Sequence, residues 1–265
     1  MGNIVGRPRV VVSVTASVDG RVALRRGEPL MGEAASQVWQ GMLPGSAAGL
    51  EDVRTAELAE RWGPQAVLEG SGSFVADSAE AVAGHPEEYD ESIDELRSNF
   101  LPVEIVGRAS REKWFTVVDS RGRIAWDIKS QGEYDVLVLV SRTTPPAHLA
   151  YLRRERIAYL VAGEDKVDLA AALRTMYEVL GVTCVVSTAG GGLNGELLRA
   201  DLVDEIHLVI SPAIIGGLGT PTAFDGPELP LDQLPTRLRL LSTQTETDGM
   251  IWLGYEVVRE ETEGA

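Results

Sequence analysis

Short runs of β-branched and aliphatic residues, each followed by a loop or a helical pattern, are the feature of this sequence that most narrows its fold. They cover Arg9 to Thr15 (RVVVSVT), Gln65 to Glu69 (QAVLE), Trp114 to Asp119 (WFTVVD), Asp135 to Val140 (DVLVLV), Ile157 to Val161 (IAYLV) and Val182 to Ser187 (VTCVVS). Each is apolar at successive positions, hence on both faces of an extended chain, as expected of strands buried between two layers. Between the last two, Leu169, Leu173, Met176, Tyr177 and Leu180 share one helical face, with Asp168 as N-cap and Gly181 just past the end. Strand, helix and strand in that order form a crossover unit, so the middle of the sheet is expected to be parallel and covered on both faces. Glu205 to Ser211 (EIHLVIS) adds a strand. Arg237 to Thr247 and Met250 to Val258 flank the turn pair Asp248-Gly249, which predicts an antiparallel hairpin. The expected architecture is an α/β fold in three layers, with a mostly parallel central sheet and a C-terminal antiparallel hairpin.

At 265 residues and 44% apolar content the chain can bury one large core. Its formal charge of −16 repels polyanions and argues against nucleic acid or an anionic membrane as partner. No stretch approaches the roughly 18 to 20 apolar residues of a membrane span, and MGNIVGRPR lacks the apolar core of a signal peptide, so a cytoplasmic location is expected. Cys184 lies inside VTCVVS and reads as a buried strand residue. No metal is expected, because His85, His148 and His207 are far apart and none stands at ligand spacing from that cysteine. The stretch 77–104 carries nine acidic residues against the single basic Arg97, the composition of a solvated insertion or of a lid.

Three glycine-rich segments could serve a phosphate. Gly70-Ser71-Gly72-Ser73-Phe74-Val75 imitates a dinucleotide fingerprint but lacks its third glycine. In TAGGGLNGELLRA, Gly190, Gly191 and Gly192 stand where a strand ends, with Glu196 to Ala200 reading as the helix beyond. Either the missing Cβ atoms, that of Gly191 above all, let a pyrophosphate approach the helix start, or the turn needs glycine only for its dihedrals. The third, IIGGLGTP, reads as an ordered loop. None contains the Gly-Lys-Ser/Thr of a P-loop, which disfavours an ATPase or kinase.

The stretch Val182 to Phe224, VTCVVSTAGGGLNGELLRADLVDEIHLVISPAIIGGLGTPTAF, resembles the C-terminal core of the riboflavin-biosynthesis reductases, the reductase half of the bifunctional deaminase-reductase. RPRVVVSVTASVDGRVA is similar to that family's strand followed by SLDGKIA, GSGSFVAD to its GxGTVxAD, and FTVVDSRGRI to its VVLDSxGRL. The resemblance implies a dihydrofolate-reductase-like fold, a single reductase domain over residues 1–265, a homodimer, and an oxidoreductase that uses NADPH to reduce a ribosylamino-pyrimidine phosphate. It further implies that Gly190, Gly191, Gly192, Leu193 and Asn194 line the cofactor phosphates and ribose, that Ser17 and Ser73 contact NADP, and that Asp77 sits at the junction of cofactor and substrate. The residues alone allow plainer roles: Asp19-Gly20 as a turn pair, Ser73 as a cap, Asp77 as a surface acid.

Departures from the family pattern fall on the substrate side. A family glutamate that contacts substrate is Thr188 here, the lysine of SLDGK is Arg21, and the family's DDPxLTVR segment with its phosphate-directed arginine has no counterpart in the acidic stretch. Replacing a carboxylate by a hydroxyl removes a charge-assisted contact worth roughly 1.5 to 3 kcal/mol. The expectation is a kept cofactor cleft and a weakened hold on the ribosylamino-pyrimidine phosphate. Asp77 is the candidate for an assisting catalytic side chain, Arg21 and Thr188 for substrate contacts, and Arg142 for the cation on the cofactor 2′-phosphate. Three functions remain open: an NADPH reductase of a pyrimidine, pterin or related heterocycle; a non-catalytic nucleotide-binding module; and a reductase of an unrelated carbonyl or imine.

Overall fold

A computed structural model describes residues 6–82 and 91–259. His85 and the acidic residues Glu87, Glu88 and Asp90 lie outside them. The strands are β1 (Arg9–Ser17), β2 (Ala66–Gly70), β3 (Lys113–Val118), β4 (Ser130–Gln131), β5 (Tyr134–Val140), β6 (Ala158–Val161), β7 (Cys184–Ser187), β8 (Glu205–Ser211), β9 (Arg237–Thr245) and β10 (Ile251–Val258). They form one sheet in the order β4-β5-β3-β2-β7-β1-β8-β10-β9, with β6 also paired to β5. The pairs from β6 through β8 are parallel, whereas β10 runs antiparallel to β8 and β9 to β10. This is the mostly parallel sheet with a C-terminal hairpin that the sequence predicts, and Gly249 takes the left-handed conformation (φ 94°) at the hairpin turn.

The helices are α1 (Glu33–Met42), α2 (Ala47–Trp62), α3 (Ile93–Leu96), α4 (Val103–Val106), α5 (Pro146–Arg154), α6 (Leu169–Leu180) and α7 (Gly191–Arg199). Alternation along the strands sorts them into two outer layers. Val10, Val12 and Val14 of β1 and Leu137 and Leu139 of β5 pack with Leu169, Leu173, Met176 and Leu197 of α6 and α7. On the other face Val136, Val138 and Val140 meet Leu96, Leu149 and Leu152 of α3 and α5, and Val11 meets Leu58 of α2. The crossover helix α6 has both expected ends: the Asp168 side chain accepts from Ala171 N (2.9 Å), and Gly181 closes it at φ 68°.

Two expectations change. The glycines of TAGGG are not a turn ahead of a later helix: α7 begins at Gly191, so Gly191 and Gly192 are its first residues and Gly190 its N-cap, none with positive φ. The stretch 77–104 is not uniformly solvated. Ser92 forms a capping box with Glu95, Leu96 is fully buried under Tyr159, and Phe100 and Tyr159 exchange backbone hydrogen bonds of 2.9 Å, so residues 92–100 belong to the outer layer over β6.

A buried carboxylate ties distant parts of the chain together. Asp204 accepts from both Arg7 Nη atoms (2.9 and 2.8 Å), from Val10 N (2.8 Å) and from Arg259 Nη2 (2.7 Å). Burial alone would push this carboxyl up, but the Arg7 and Val10 donors, with Arg259, hold it below the usual carboxylate range.

Candidate active site

The cleft opens where β7 stops and β1 runs on. β1 pairs with β7 only over Arg9 to Val12, and beyond Val12 it keeps β8 alone, so one side of Ser13 to Thr15 is free to line a cavity. That cavity, about 760 Å³, is bounded by Glu69 and Gly70 at the end of β2, Val118 at the end of β3, Thr188 to Leu193 past β7, and the segment 22–31. Carboxyl ends of parallel strands are where ligands bind in open α/β sheets, because loops there are free to diverge.

The floor is formed by the start of α7. A Cβ added at Gly190 or Gly192 would meet nothing within 4 Å, whereas one at Gly191 would lie 2.0 Å from the carbonyl oxygen of Thr222 and 2.8 Å from Asp225 Oδ2. Gly190 and Gly192 therefore leave open space at a helix N-terminus whose N–H groups lack intrahelical acceptors, a fit for an anionic group. Gly191 is required by packing against the 222–225 segment instead. Since none of the three has positive φ, their conformations do not require glycine.

Beside this turn stands a carboxyl group that sequence reading counted only as a strand residue. Glu69 is 5% exposed. Its Oε1 accepts from Thr188 Oγ1 (2.5 Å) and its Oε2 from Ser73 Oγ (2.8 Å), and no cation pairs with it among the described residues. Burial pushes its pKa up, partly offset by the Thr188 and Ser73 hydroxyls and the Gly70 amide. The carboxylate expected but absent at position 188 is thus supplied from the neighbouring strand, at a point that touches Thr188.

Basic residues line the cleft in spite of the acidic composition: Arg25, Arg26 and Arg121, which are exposed, and Arg54 and Arg123, which are buried. Arg121 and Arg123 are carried on the turn after β3, which Asp119 holds by accepting from Arg123 N (2.7 Å) and Ile124 N (3.0 Å). Arg123 donates to Ala76 O and Ser71 Oγ (2.8 and 2.9 Å) and Arg121 to Asp77 Oδ1 (3.3 Å). Arg54, buried in α2, donates to Val14 O (3.3 Å) and pairs with Glu51. Arg25 and Arg26 make no hydrogen bond or ion pair among the described residues.

Residues 8–252 match the family described as the RibD C-terminal domain. The chain belongs to the RibD C-terminal domain family. It is 26% identical over 257 residues to the 2,5-diamino-6-ribosylamino-4(3H)-pyrimidinone 5′-phosphate reductase of Methanothermobacter thermautotrophicus, covering 97% of this chain and 98% of that one. A protein of the same name from Archaeoglobus fulgidus is 29% identical over 222 residues, 83% and 87% of the two chains. Among solved structures, Acinetobacter baumannii RibD superposes with a TM-score of 0.58 at 22% identity, covering 96% of this chain and 59% of that longer one. A pyrimidine reductase-like protein from Corynebacterium diphtheriae gives 0.59 at 17% identity, covering 96% and 93%. The fold is accordingly the dihydrofolate-reductase-like α/β fold of RibD, and the family is one of reductases.

Within this RibD-family fold the residues singled out from sequence separate into two groups. Ser73, Asp77, Thr188, Gly190, Gly191, Gly192 and Leu193 all line the cleft. Asn194 is fully buried behind it, its Oδ1 accepting from Ser187 Oγ (2.7 Å) and its Nδ2 donating to Ala189 O (2.7 Å), so its side chain braces the glycine turn from behind. Ser17 is buried in the turn after β1, donating to Asp19 Oδ1 (2.6 Å) and accepting from Arg21 N (3.0 Å). Arg21 donates to Thr220 O (2.5 Å) and lines an adjoining depression with Arg26, Gly192 and Arg199 rather than the main cleft. Arg142 stands apart from both, beyond the end of β5 in a shallow hollow with Arg97, Asn99 and Glu164, 3.5 Å from the Glu164 carboxylate. The cations that reach the cleft are on the 22–31 segment, on α2 and on the turn after β3.

Proposed function

We propose that this protein is an NADPH-dependent reductase that delivers hydride to a pyrimidine carrying a phosphorylated ribosylamino group. The observation that carries the reading is the open glycine turn of α7 on the floor of a cleft that holds a buried carboxylate beside that turn and is lined by several arginines. Gly190 and Gly192, with the first N–H groups of α7, would hold a pyrophosphate. NADPH supplies the hydride when bound. The chain's own part is to hold the acceptor carbon within about 3 to 3.5 Å of the donor and to keep water out.

In this reading Arg25 and Arg26 serve the phosphate groups of cofactor and substrate, so that the cofactor 2′-phosphate expected at Arg142 falls to them instead. Asp77, with its side chain 65% exposed and tied to Arg121 and Arg123, sets those guanidinium groups rather than acting as a sheltered proton donor. Ser73 and Thr188 act through Glu69. The described residues contain no helix long and apolar enough to cross a membrane. A homodimer is part of it: β9 is an open sheet edge with Leu238, Leu240 and Leu241 exposed.

The test is a pair of measurements on the purified protein: calorimetric titration with NADPH and NADH, and loss of NADPH absorbance with the ribosylamino-pyrimidine phosphate. NADPH binding tighter than NADH, with turnover, is the expected result. Binding of neither nucleotide overturns the reading.

A further inference from the structure

Glu69, Thr188 and Ser73 form a cluster whose polarity is fixed by its own hydrogen bonds. An ionised carboxylate only accepts, and each hydroxyl has one proton to give. Both protons are spent on Glu69, at 2.5 Å from Thr188 and 2.8 Å from Ser73, so what the two hydroxyls still offer a ligand is lone pairs. All three residues line the cleft, and Glu69 is 95% shielded from solvent with no cation paired to it among the described residues. A buried charge left in that state is expensive, and it is compensated when a ligand brings N–H donors to it. An oxo group in the same place would set oxygen lone pairs against an acceptor-only surface.

We infer that the Glu69–Thr188–Ser73 cluster reads the heterocycle and admits rings that present an amino group beside a lactam N–H, the 2-amino-4-oxo pattern, over rings with the 2,4-dioxo pattern. Glu69 is the specificity-determining residue, and Thr188 and Ser73 are positioning residues that lock its carboxyl and orient their own lone pairs outward. This inference rests on the pyrimidine reading above; the 2-amino-4-oxo pattern is that of the ring named for the Methanothermobacter and Archaeoglobus relatives, and what is added is its recognition by Glu69 from β2. The cluster spans two strands: Leu68 of β2 is paired with Ser187 of β7, so the residues that follow them, Glu69 and Thr188, emerge side by side. A carboxylate can therefore reach the same spot from either strand.

The experiment uses the full chain and two substrates, the 2-amino-4-oxo and the 2,4-dioxo ribosylamino-pyrimidine phosphates, with calorimetric titration of the two corresponding ribitylamino products as a readout independent of turnover. Wild type is expected to favour the amino ring by on the order of 100-fold in kcat/KM and in product affinity, within what a buried hydrogen-bonding site can discriminate. Glu69→Gln, whose amide can donate as well as accept, is expected to reduce that ratio to about 10-fold or less. Glu69→Thr should lose the preference, and the exchange Glu69→Thr with Thr188→Glu should restore it, which a merely structural role for Glu69 would not predict. If wild type handles both rings equally, prefers the dioxo ring, binds neither product, or keeps its full preference in Glu69→Gln, the inference is overturned. Selective binding of the amino product without NADPH turnover would instead uphold the inference and overturn the reductase reading.

Discussion

Replacing single glycines at the start of α7 separates a ligand cradle from a packing contact. At Gly192 an added methyl meets no protein atom within 4 Å, and the helix gains up to about 1 kcal/mol of propensity, so Gly192→Ala should melt at or above the wild-type temperature. The same methyl occupies the space assigned to the pyrophosphate. Losing one charge-assisted hydrogen bond there costs roughly 1.5 to 3 kcal/mol, or about 10- to 150-fold in NADPH affinity. At Gly191 the outcome should invert in kind. The methyl would sit 2.0 Å from the Thr222 carbonyl oxygen, and the Asp225 N to Gly191 O hydrogen bond (2.9 Å) would have to give. Overpacking of that sort costs about 1 to 3 kcal/mol, a fall of roughly 2 to 12 °C in Tm for a domain of this size. Thermal melts and calorimetric titration with NADPH on both variants are the assay. Wild-type NADPH affinity in Gly192→Ala would show that no cofactor lies against the turn, and a wild-type melt for Gly191→Ala would refute the packing argument.

His148 is fully buried 4.0 Å from Asp119, with neither ring nitrogen hydrogen-bonded, and burial lowers its pKa to about 4 from an unfolded value near 6.5. The folded state therefore disfavours the proton, so stability is present above pH 6.5 and is lost as pH falls toward 4. The loss should be about 2 kcal/mol between pH 7 and pH 5, and urea melts of His148→Phe should lack it; an unchanged slope in that variant would assign the effect elsewhere. Asp204→Ala strands the Val10 amide and two guanidinium groups, and should cost about 3 kcal/mol, near 6 to 12 °C in Tm; a loss below 1 kcal/mol would mean that solvent replaces the carboxylate. Leu240→Glu on the exposed edge strand should shift the protein from dimer to monomer in light scattering, and a wild type that is already monomeric at micromolar concentration removes β9 as an interface.

Most of the sheet was legible because its strands are apolar on both faces, and α6 because Asp168 and Gly181 mark its ends. Helices α1 and α2 were not. The buried residue of α1 is Ala35 alone, and those of α2 are Leu50, Arg54 and Leu58, a stripe interrupted by a charge. The start of α7 was hidden for a related reason: three glycines carry almost no helix propensity, and the turn is held by contacts with residues 222–225 that no local pattern announces. For the site, the glycine loop could be found from its place after a strand. Glu69 could not, since its defining partner is Thr188, 119 positions away. Arg142 was drawn in by its place at a strand end, but β5 lies two strands beyond β2 and its end opens elsewhere.

The glycines of α7 also limit how the site can diversify. Gly191 and Gly195 leave no room between the helix and residues 222–225, and a Cβ at Gly226 would fall on the Arg199 guanidinium. Asp19 then fastens the following loop's neighbour by accepting from Ile215 and Gly216 (3.1 and 2.8 Å). This wall is a single casting: it cannot tilt or slide without breaking several contacts at once, so it meets a ligand already shaped, with little reorganisation on binding. The strand ends and the 22–31 segment carry their chemistry on side chains that can be exchanged one at a time. Descendants of such a chain would inherit the glycine turn unchanged and explore new ligands beside it, with positions 69 and 188 as a pair between which a charge can move.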